Sequence, residues 1–237
     1  MLRPYNSRVS SHLSHKRVLI LGAETDIGRA VTSAVAEAGA SVAAVAATSE
    51  AEAAFAVQRL ARRLSSGGRK VIAQAIDATN EAAVRVMVRQ VSKELGGLDA
   101  VVYCRQPLEP LRRDEVEGMR DEHEVFRVIE ERSKQHAEVV IPIQGHILDY
   151  GGRELDRTGG GPLVTVDGPL ALYSARDAPR PKWWLERVSY SDDLNKVVKD
   201  VLRAIKSRGL WWKAAKVTPR PLLPVYRFLA RVLIRHR

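Results

Sequence analysis

The chain has 237 residues, 45% of them hydrophobic, so it is long enough to bury one sizeable core and falls within the span of a single α/β domain. A lone cysteine, Cys104, excludes an intrachain disulfide framework, and no apolar run nears the roughly 20 residues a membrane span needs. The formal charge of +10 is concentrated: Val201 to Arg237 holds ten Lys or Arg and no Asp or Glu, which leaves the rest of the chain neutral.

The opening stretch, MLRPYNSRVSSHLSHK, lacks the apolar centre of a signal peptide, and the single thiol fits a reducing cytoplasm. Residues 1–16 read as an N-terminal arm. Residues 17–21 form a short apolar run, followed at once by the turn Gly22 to Gly28 and an alanine-rich helical segment that ends at Gly39. Strand, glycine turn and helix in this order suit a pyrophosphate, because a tight turn needs Gly and the helix start offers unpaired N–H groups and a positive dipole end. Residues 41–47 read as the second strand, 49–65 as a helix and 70–77 as a third strand ending in a carboxylate. A helix capped by Thr79 or Asn80 runs to Leu95-Gly96-Gly97, and residues 98–103 form the fourth strand. Strands alternating with helices of this length predict a doubly wound parallel α/β sheet, Rossmann-like, with helices on both faces.

Gly22 to Gly28, Asp77-Ala78-Thr79 and Leu95-Gly96-Gly97-Leu98-Asp99 match, in order and spacing, the short-chain dehydrogenase/reductase family, which the chain resembles over roughly residues 17–103. The resemblance implies NAD or NADP as cofactor. It places Gly22 and Gly28 under the pyrophosphate and Asp77 near the adenine, and its implied cofactor-binding set is Gly22, Thr25, Asp26, Ile27, Gly28, Asp77 and Ala78. Three departures matter. Asp26 replaces the family's middle glycine, and a carboxylate there repels a pyrophosphate unless it turns away and caps the helix. At the end of strand two the family reads a ribose hydroxyl with Asp or a 2′-phosphate with Arg, whereas this chain has Ala46-Ala47-Thr48. After strand four, Tyr103-Cys104-Arg105-Gln106 stands where the family has Asn-Asn-Ala-Gly.

The family's catalysis needs Tyr, Lys, Ser and Asn. Residues 107–160 contain no Asn, and Asp167-Gly168 follows the fifth strand, residues 161–166, where the family has its Ser pair, leaving Thr165 as the nearest hydroxyl. Tyr173-Ser174-Ala175-Arg176-Asp177-Ala178 resembles the family's Tyr-Ser-Ala-Ser-Lys-Ala and makes Tyr173 the candidate acid, but an anion, Asp177, stands where the Lys belongs, which raises a tyrosine's pKa. Residues 115–138, densely charged, read as an exposed helix or pair of helices. Pro179, Pro181 and Trp183-Trp184 interrupt the stretch where the family runs a long helix and another strand, so part of the substrate-side layer is expected to be missing. His123 and His136 show no metal-ligand spacing, and Cys104, without a nearby His or CxxC partner, reads as a structural thiol.

Ser191-Asp192-Asp193 caps a helix over 194–207, which closes the domain of residues 17–208. Residues 209–237 form a basic extension in which Arg227, Arg231 and Arg235 recur every four residues opposite an apolar face. Such an amphipathic helix suits a protein partner or a homo-oligomer, an anionic membrane surface or a membrane-bound complex, or packing on its own domain. The charge would also suit nucleic acid, but no recognition motif accompanies it. Three readings follow. The first is an NAD(P)-binding protein of degenerate catalysis serving as an accessory or structural subunit docked by its basic tail. The second is an active, atypical NAD(P)-dependent oxidoreductase for a carbonyl or alcohol, and the third is a structural module with an empty cleft. The expected location is cytoplasmic, with the tail as a peripheral membrane contact.

Overall fold

The computed structural model describes residues 12–105, 108, 111–167, 184–189, 191 and 193–206. In chain order the elements are β1 (Arg17–Leu21), α1 (Asp26–Glu37), β2 (Ser41–Ala46), α2 (Ala51–Ser65), β3 (Val71–Ala75), α3 (Glu81–Leu95), β4 (Ala100–Cys104), α4 (Arg113–Glu117), α5 (Glu122–Thr158), β5 (Pro162–Asp167), β6 (Trp184–Ser189) and α6 (Leu194–Lys206). The strands form one sheet in the order β3-β2-β1-β4-β5-β6, with every pair parallel.

The two-residue period of a strand divides the core into two layers. Val18 and Ile20 of β1 join Val42, Ala44, Val102 and Val164 beneath α1, α2 and α6. Leu19 and Leu21 join Ala43, Val45, Val101 and Leu163 beneath α3 and α5. With helices on both faces, the central strands have no solvent side, which is why β1, β2 and β4 are apolar almost throughout rather than alternating. The strand order reverses between β1 and β4, so the chain leaves the sheet in opposite directions there and opens a crevice at the strands' carboxyl ends.

Two expectations need correction. The charged segment does not end at Glu138. It forms the short helix α4 and then a 37-residue helix that runs through Pro142 to Thr158. Pro142 removes one N–H and is the kind of residue at which a sequence reading stops a helix. The helix continues because Val140, Ile143, Ile147, Leu148 and Leu155 recur at helical spacing and are buried, several of them in the layer against α3. The substrate-side layer also keeps a strand: β6 pairs with β5 from Pro162–Trp184 to Asp167–Ser189 despite the prolines and tryptophans just before it.

Candidate functional site

The crevice is built first from the glycine turn. Gly22 has φ +85°, and a Cβ there would lie 2.1 Å from the Cys104 carbonyl oxygen. Only glycine lets the β1 turn pass this close to the end of β4. At Gly28 a Cβ would meet the Gly22 carbonyl oxygen at 1.9 Å, so the second glycine lets α1 start against the turn itself. Thr25 locks the arrangement: its hydroxyl donates to the Gly22 carbonyl at 2.9 Å and accepts the Gly28 N–H at 2.9 Å. Thr25 is therefore the N-cap of α1. The N–H groups of Asp26 and Ile27, in the first turn, have no intrahelical acceptor by the geometry of any helix start.

Asp26 does not cap the helix, as the sequence reading had allowed. Its carboxylate is exposed and pairs with Arg29, so it turns from the crevice toward solvent. The carboxylate that would repel a phosphate at this position is thereby turned outward and paired with a cation.

Hydrogen bonds join this turn to the ends of β2 and β3. Gly22 and Ala23 both donate to the Val45 carbonyl, at 2.9 and 3.0 Å. Glu24 accepts the Ala47 N–H on Oε1 at 3.1 Å, and the Ala47 carbonyl accepts the Ala78 N–H at 3.0 Å. His146, from α5, meets the Ala78 carbonyl through Nδ1 at 3.2 Å. Asp77 is exposed, and its Oδ1 accepts the Thr79 N–H at 3.0 Å and the Thr79 hydroxyl at 2.5 Å; these bonds hold its carboxyl below the usual range. The structure thus brings Gly22, Thr25, Asp26, Ile27, Gly28, Asp77 and Ala78 to one edge of the sheet. The helix after Asp77 is capped by Asn80, whose side chain accepts from Ala82 and Ala83.

Glu24 is a further member of this corner that the family's motif does not single out. Burial pushes its carboxyl above the usual range, against the opposing hydrogen bonds from its own backbone and Ala47 and the charge of Arg29. Its Oε2 is buried without a hydrogen-bond partner among the described residues. The signal was present in the sequence as an acid two positions after Gly22.

On the catalytic side the described residues offer less. Thr165 is fully buried within the sheet and its hydroxyl has no partner among the described residues, so it does not present a hydroxyl to a substrate arriving from solvent. Cys104 is buried at the end of β4, where burial and the charge of Glu24 push its thiol well above the ordinary range. Tyr173, Asp177 and the basic extension lie outside the described residues. Among the described residues no three His, Cys, Asp or Glu are grouped to hold a metal ion, and no helix is long and apolar enough to cross a membrane.

The residues present suit the phosphate and adenosine portion of a dinucleotide: a turn closed by two glycines, a capped helix start and an orphaned buried carboxylate oxygen beside them. Residues 16–106 match the family model described as short chain dehydrogenase. A short chain dehydrogenase of Pseudocercospora fijiensis is 35% identical over 95 residues, covering 40% of this chain and 29% of that protein. Glycine betaine reductase of Emericella nidulans is 36% identical over 92 residues, covering 39% of this chain and 7% of that one. Among solved structures, a short-chain type dehydrogenase/reductase from Mycobacterium marinum has a TM-score of 0.52 at 29% identity, covering 66% of this chain and 55% of that one. Its counterpart from Mycobacterium ulcerans has 0.51 at 26%, covering 65% and 52%. A 7α-hydroxysteroid dehydrogenase complexed with NADH and 7-oxo glycochenodeoxycholic acid shares the fold, with a TM-score of 0.51 at 20% identity, covering 68% and 56%. The chain spans about half the length of these solved structures and less than a third of either curated relative.

Proposed function

We propose that the chain, whose residues 16–106 match the short chain dehydrogenase model, is an NAD(P)-binding member of that family whose carbonyl chemistry has degenerated and which serves as an accessory or structural subunit. One contrast carries this reading. The nucleotide side keeps a turn in which Gly22, Thr25 and Gly28 depend on one another at contact distance, while the nearest described hydroxyl on the catalytic side, Thr165, is sealed in the sheet. The turn also fastens β1 to β4, and the helix start it presents offers a phosphate unpaired N–H groups.

In this reading the Gly22–Gly28 turn and the first N–H groups of α1 hold the pyrophosphate, and Asp77 and Ala78 border the adenine. A bound dinucleotide would supply hydride-transfer chemistry. The chain's own part is to bind it, orient it against the carboxyl ends of β1, β2 and β4, and exclude water from that edge.

The retained strand β6 favours a second reading, an atypical oxidoreductase acting on a carbonyl or alcohol with Tyr173 as acid, because the layer that follows Tyr173 is not wholly lost. Fluorescence titration of NADH and NADPH tests binding. Absence of binding by either at millimolar concentration would leave only a structural module with an empty cleft. Turnover of a carbonyl panel, abolished by Tyr173→Phe, would replace the degenerate reading with the active one.

Residues 209–237 give the accessory role its means of docking, on an acidic protein partner, a second copy of the chain or an anionic membrane surface, since they hold seven Lys or Arg and no Asp or Glu. Truncation after residue 208 is expected to abolish sedimentation with anionic vesicles or co-elution with a partner. If the truncated chain behaves like the full one in both assays, the docking role falls.

A further inference from the structure

In a dinucleotide-binding βαβ unit, an acid about 20 residues after the glycine turn, at the end of the second strand, accepts a hydrogen bond from the ribose 2′-hydroxyl. The corresponding stretch here, Ala46-Ala47-Thr48, carries no carboxylate. The structure delivers one to the same place from another part of the chain. Glu24, inside the glycine turn, extends to the end of β2 and accepts the Ala47 N–H at 3.1 Å. Because the Ala47 carbonyl accepts the Ala78 N–H, the carboxylate stands at the corner where the turn, the end of β2 and the end of β3 meet.

We propose that Glu24 is the cofactor-selecting residue of this chain, reading the ribose 2′-hydroxyl in place of the missing β2 acid and making the cleft take NAD(H) in preference to NADP(H). This rests on the reading that the cleft holds a dinucleotide.

Three observations carry it. Among the described residues, only Oε1 of Glu24 is engaged. Oε2 is buried without a partner among the described residues and is costly so held; because Glu24 as a residue is partly exposed, unlike Thr165, a small turn of its carboxylate brings Oε2 to a donor in the crevice. The vicinal hydroxyls of a ribose are such donors. Next, the fold itself does not require an acid here. A glutamine would accept the Ala47 N–H equally well, so the second oxygen and the charge answer to something other than the turn. Finally, Arg29 of α1, the cation whose charge acts on this carboxylate, is already engaged. Arg29 bonds Asp26 and donates to the carbonyl of Glu24 itself at 2.5 Å, and so is committed rather than free to receive a 2′-phosphate. A 2′-phosphate would therefore meet an anion at the position where NADP(H)-binding sites offer an Arg.

The test is direct titration of the full-length chain with NADH and NADPH, read by nicotinamide fluorescence and repeated as ligand-dependent shifts in thermal unfolding. Wild type is expected to bind NADH at least about tenfold more tightly than NADPH, as like charges brought together on binding imply. Glu24→Gln keeps the shape and the Ala47 bond, and should reduce that preference several-fold, mainly by improving NADPH. Glu24→Arg should reverse it, and if that variant does not fold, as judged by circular dichroism, the glutamine variant decides. Equal affinities in wild type, a preference for NADPH, or a ratio unchanged by Glu24→Gln would each overturn the role of Glu24 while leaving dinucleotide binding intact. Failure of wild type to bind either form at millimolar concentration would overturn both this role and the cofactor reading beneath it.

Discussion

Arg17, the first residue of β1, grips Asp99, the residue just before β4: Nε to Oδ2 is 2.7 Å, Nη2 to Oδ1 is 3.2 Å, and the Arg17 backbone N–H also donates to Oδ2 at 3.0 Å. The Asp99 N–H returns a bond to the Arg17 carbonyl at 2.8 Å, so the two central strands are fastened at their amino ends by side chain and backbone together. Burial by itself would raise the Asp99 carboxyl, but the hydrogen bonds and charge of Arg17 outweigh it and hold the group below the usual carboxylate range. A carboxyl lowered in the fold contributes stability above its unfolded value, about 3.9. That contribution is lost as pH falls through the folded value.

Asp99→Asn should therefore cost about 1–2 kcal/mol at neutral pH, the scale of a charge-assisted bond to a partly buried group. The difference from wild type should shrink in acid, below pH 4. Urea denaturation at pH 7 and at pH 3.5 checks both. An equal deficit at the two values would mean that the ion pair is not its source.

Glu24 has the opposite sign. Its carboxyl is raised by burial, so the fold is favoured below the unfolded value of about 4.3 and loses that advantage as pH climbs through the folded one. Glu24→Gln removes the loss while keeping an acceptor for Ala47. The variant should be more stable than wild type by about 1 kcal/mol at pH 7 and nearly equal to it at pH 4. A destabilised Glu24→Gln protein at pH 7 would show that the charged form is held better than its surroundings suggest.

Glycine substitutions divide by location. Gly22→Ala and Gly28→Ala each drive a Cβ to about 2 Å from a backbone oxygen, which neither rotamer change nor small relaxation relieves, and each should cost about 3 kcal/mol or more. Gly145, inside α5, has nothing within 4 Å of an added Cβ. Gly145→Ala should stabilise by about 0.5–1 kcal/mol through helix propensity. Denaturant midpoints of the three variants give the comparison, and a tolerated Gly22→Ala would contradict the contact between the turn and β4.

Cys104 provides a probe of opening. Its thiol is buried and pushed high by burial and by Glu24, so the native chain should react with a thiol reagent only as fast as the sheet opens around it. Labelling should accelerate steeply in denaturant, in step with global unfolding. Fast labelling in plain buffer would place the thiol outside the core.

Pro142→Ala restores an N–H to the middle of α5, at a position that is not fully buried. It should raise stability by as much as about 3 kcal/mol if the proline disturbs the helix as it does in isolated cases. A loss instead would indicate that the helix is bent to fit the sheet at this point.

The nucleotide half was legible in the sequence because its determinants are local. Gly22, Gly28 and Asn80 mark turns and caps by type, and apolar runs such as 17–21 and 100–104 mark strands buried on both faces. The sequence could not show that Thr25 rather than Asp26 closes the helix start, since both are good capping residues and only the pairing of Asp26 with Arg29 decides between them. Nor could it show that Glu24 reaches Ala47, a contact across 23 positions that depends on how tightly the turn folds over β2. The extension of α5 beyond residue 138 is not legible locally, since Pro142 lies in its path and the burial that overrides it comes from β4 and α3. β6 is not legible in the sequence because Pro179 and Pro181 stand just before it and its strand character comes from pairing with β5.

The fastening of Arg17 to Asp99 has a further consequence for how the molecule assembles. These residues are 82 positions apart, and the other neighbour of β4 is paired through Val101 and Leu163, on the far side of a 37-residue helix. β1, β2 and β3 meet over much shorter spans and can form early, whereas β4 must close long loops on both sides before its contacts repay the entropy. Loop-closure entropy thus predicts that β4 docks late, and until it does one edge of β1 would stand open to any other chain in the same state. Refolding yield is accordingly expected to fall as protein concentration rises, with association of half-assembled sheets as the competing outcome.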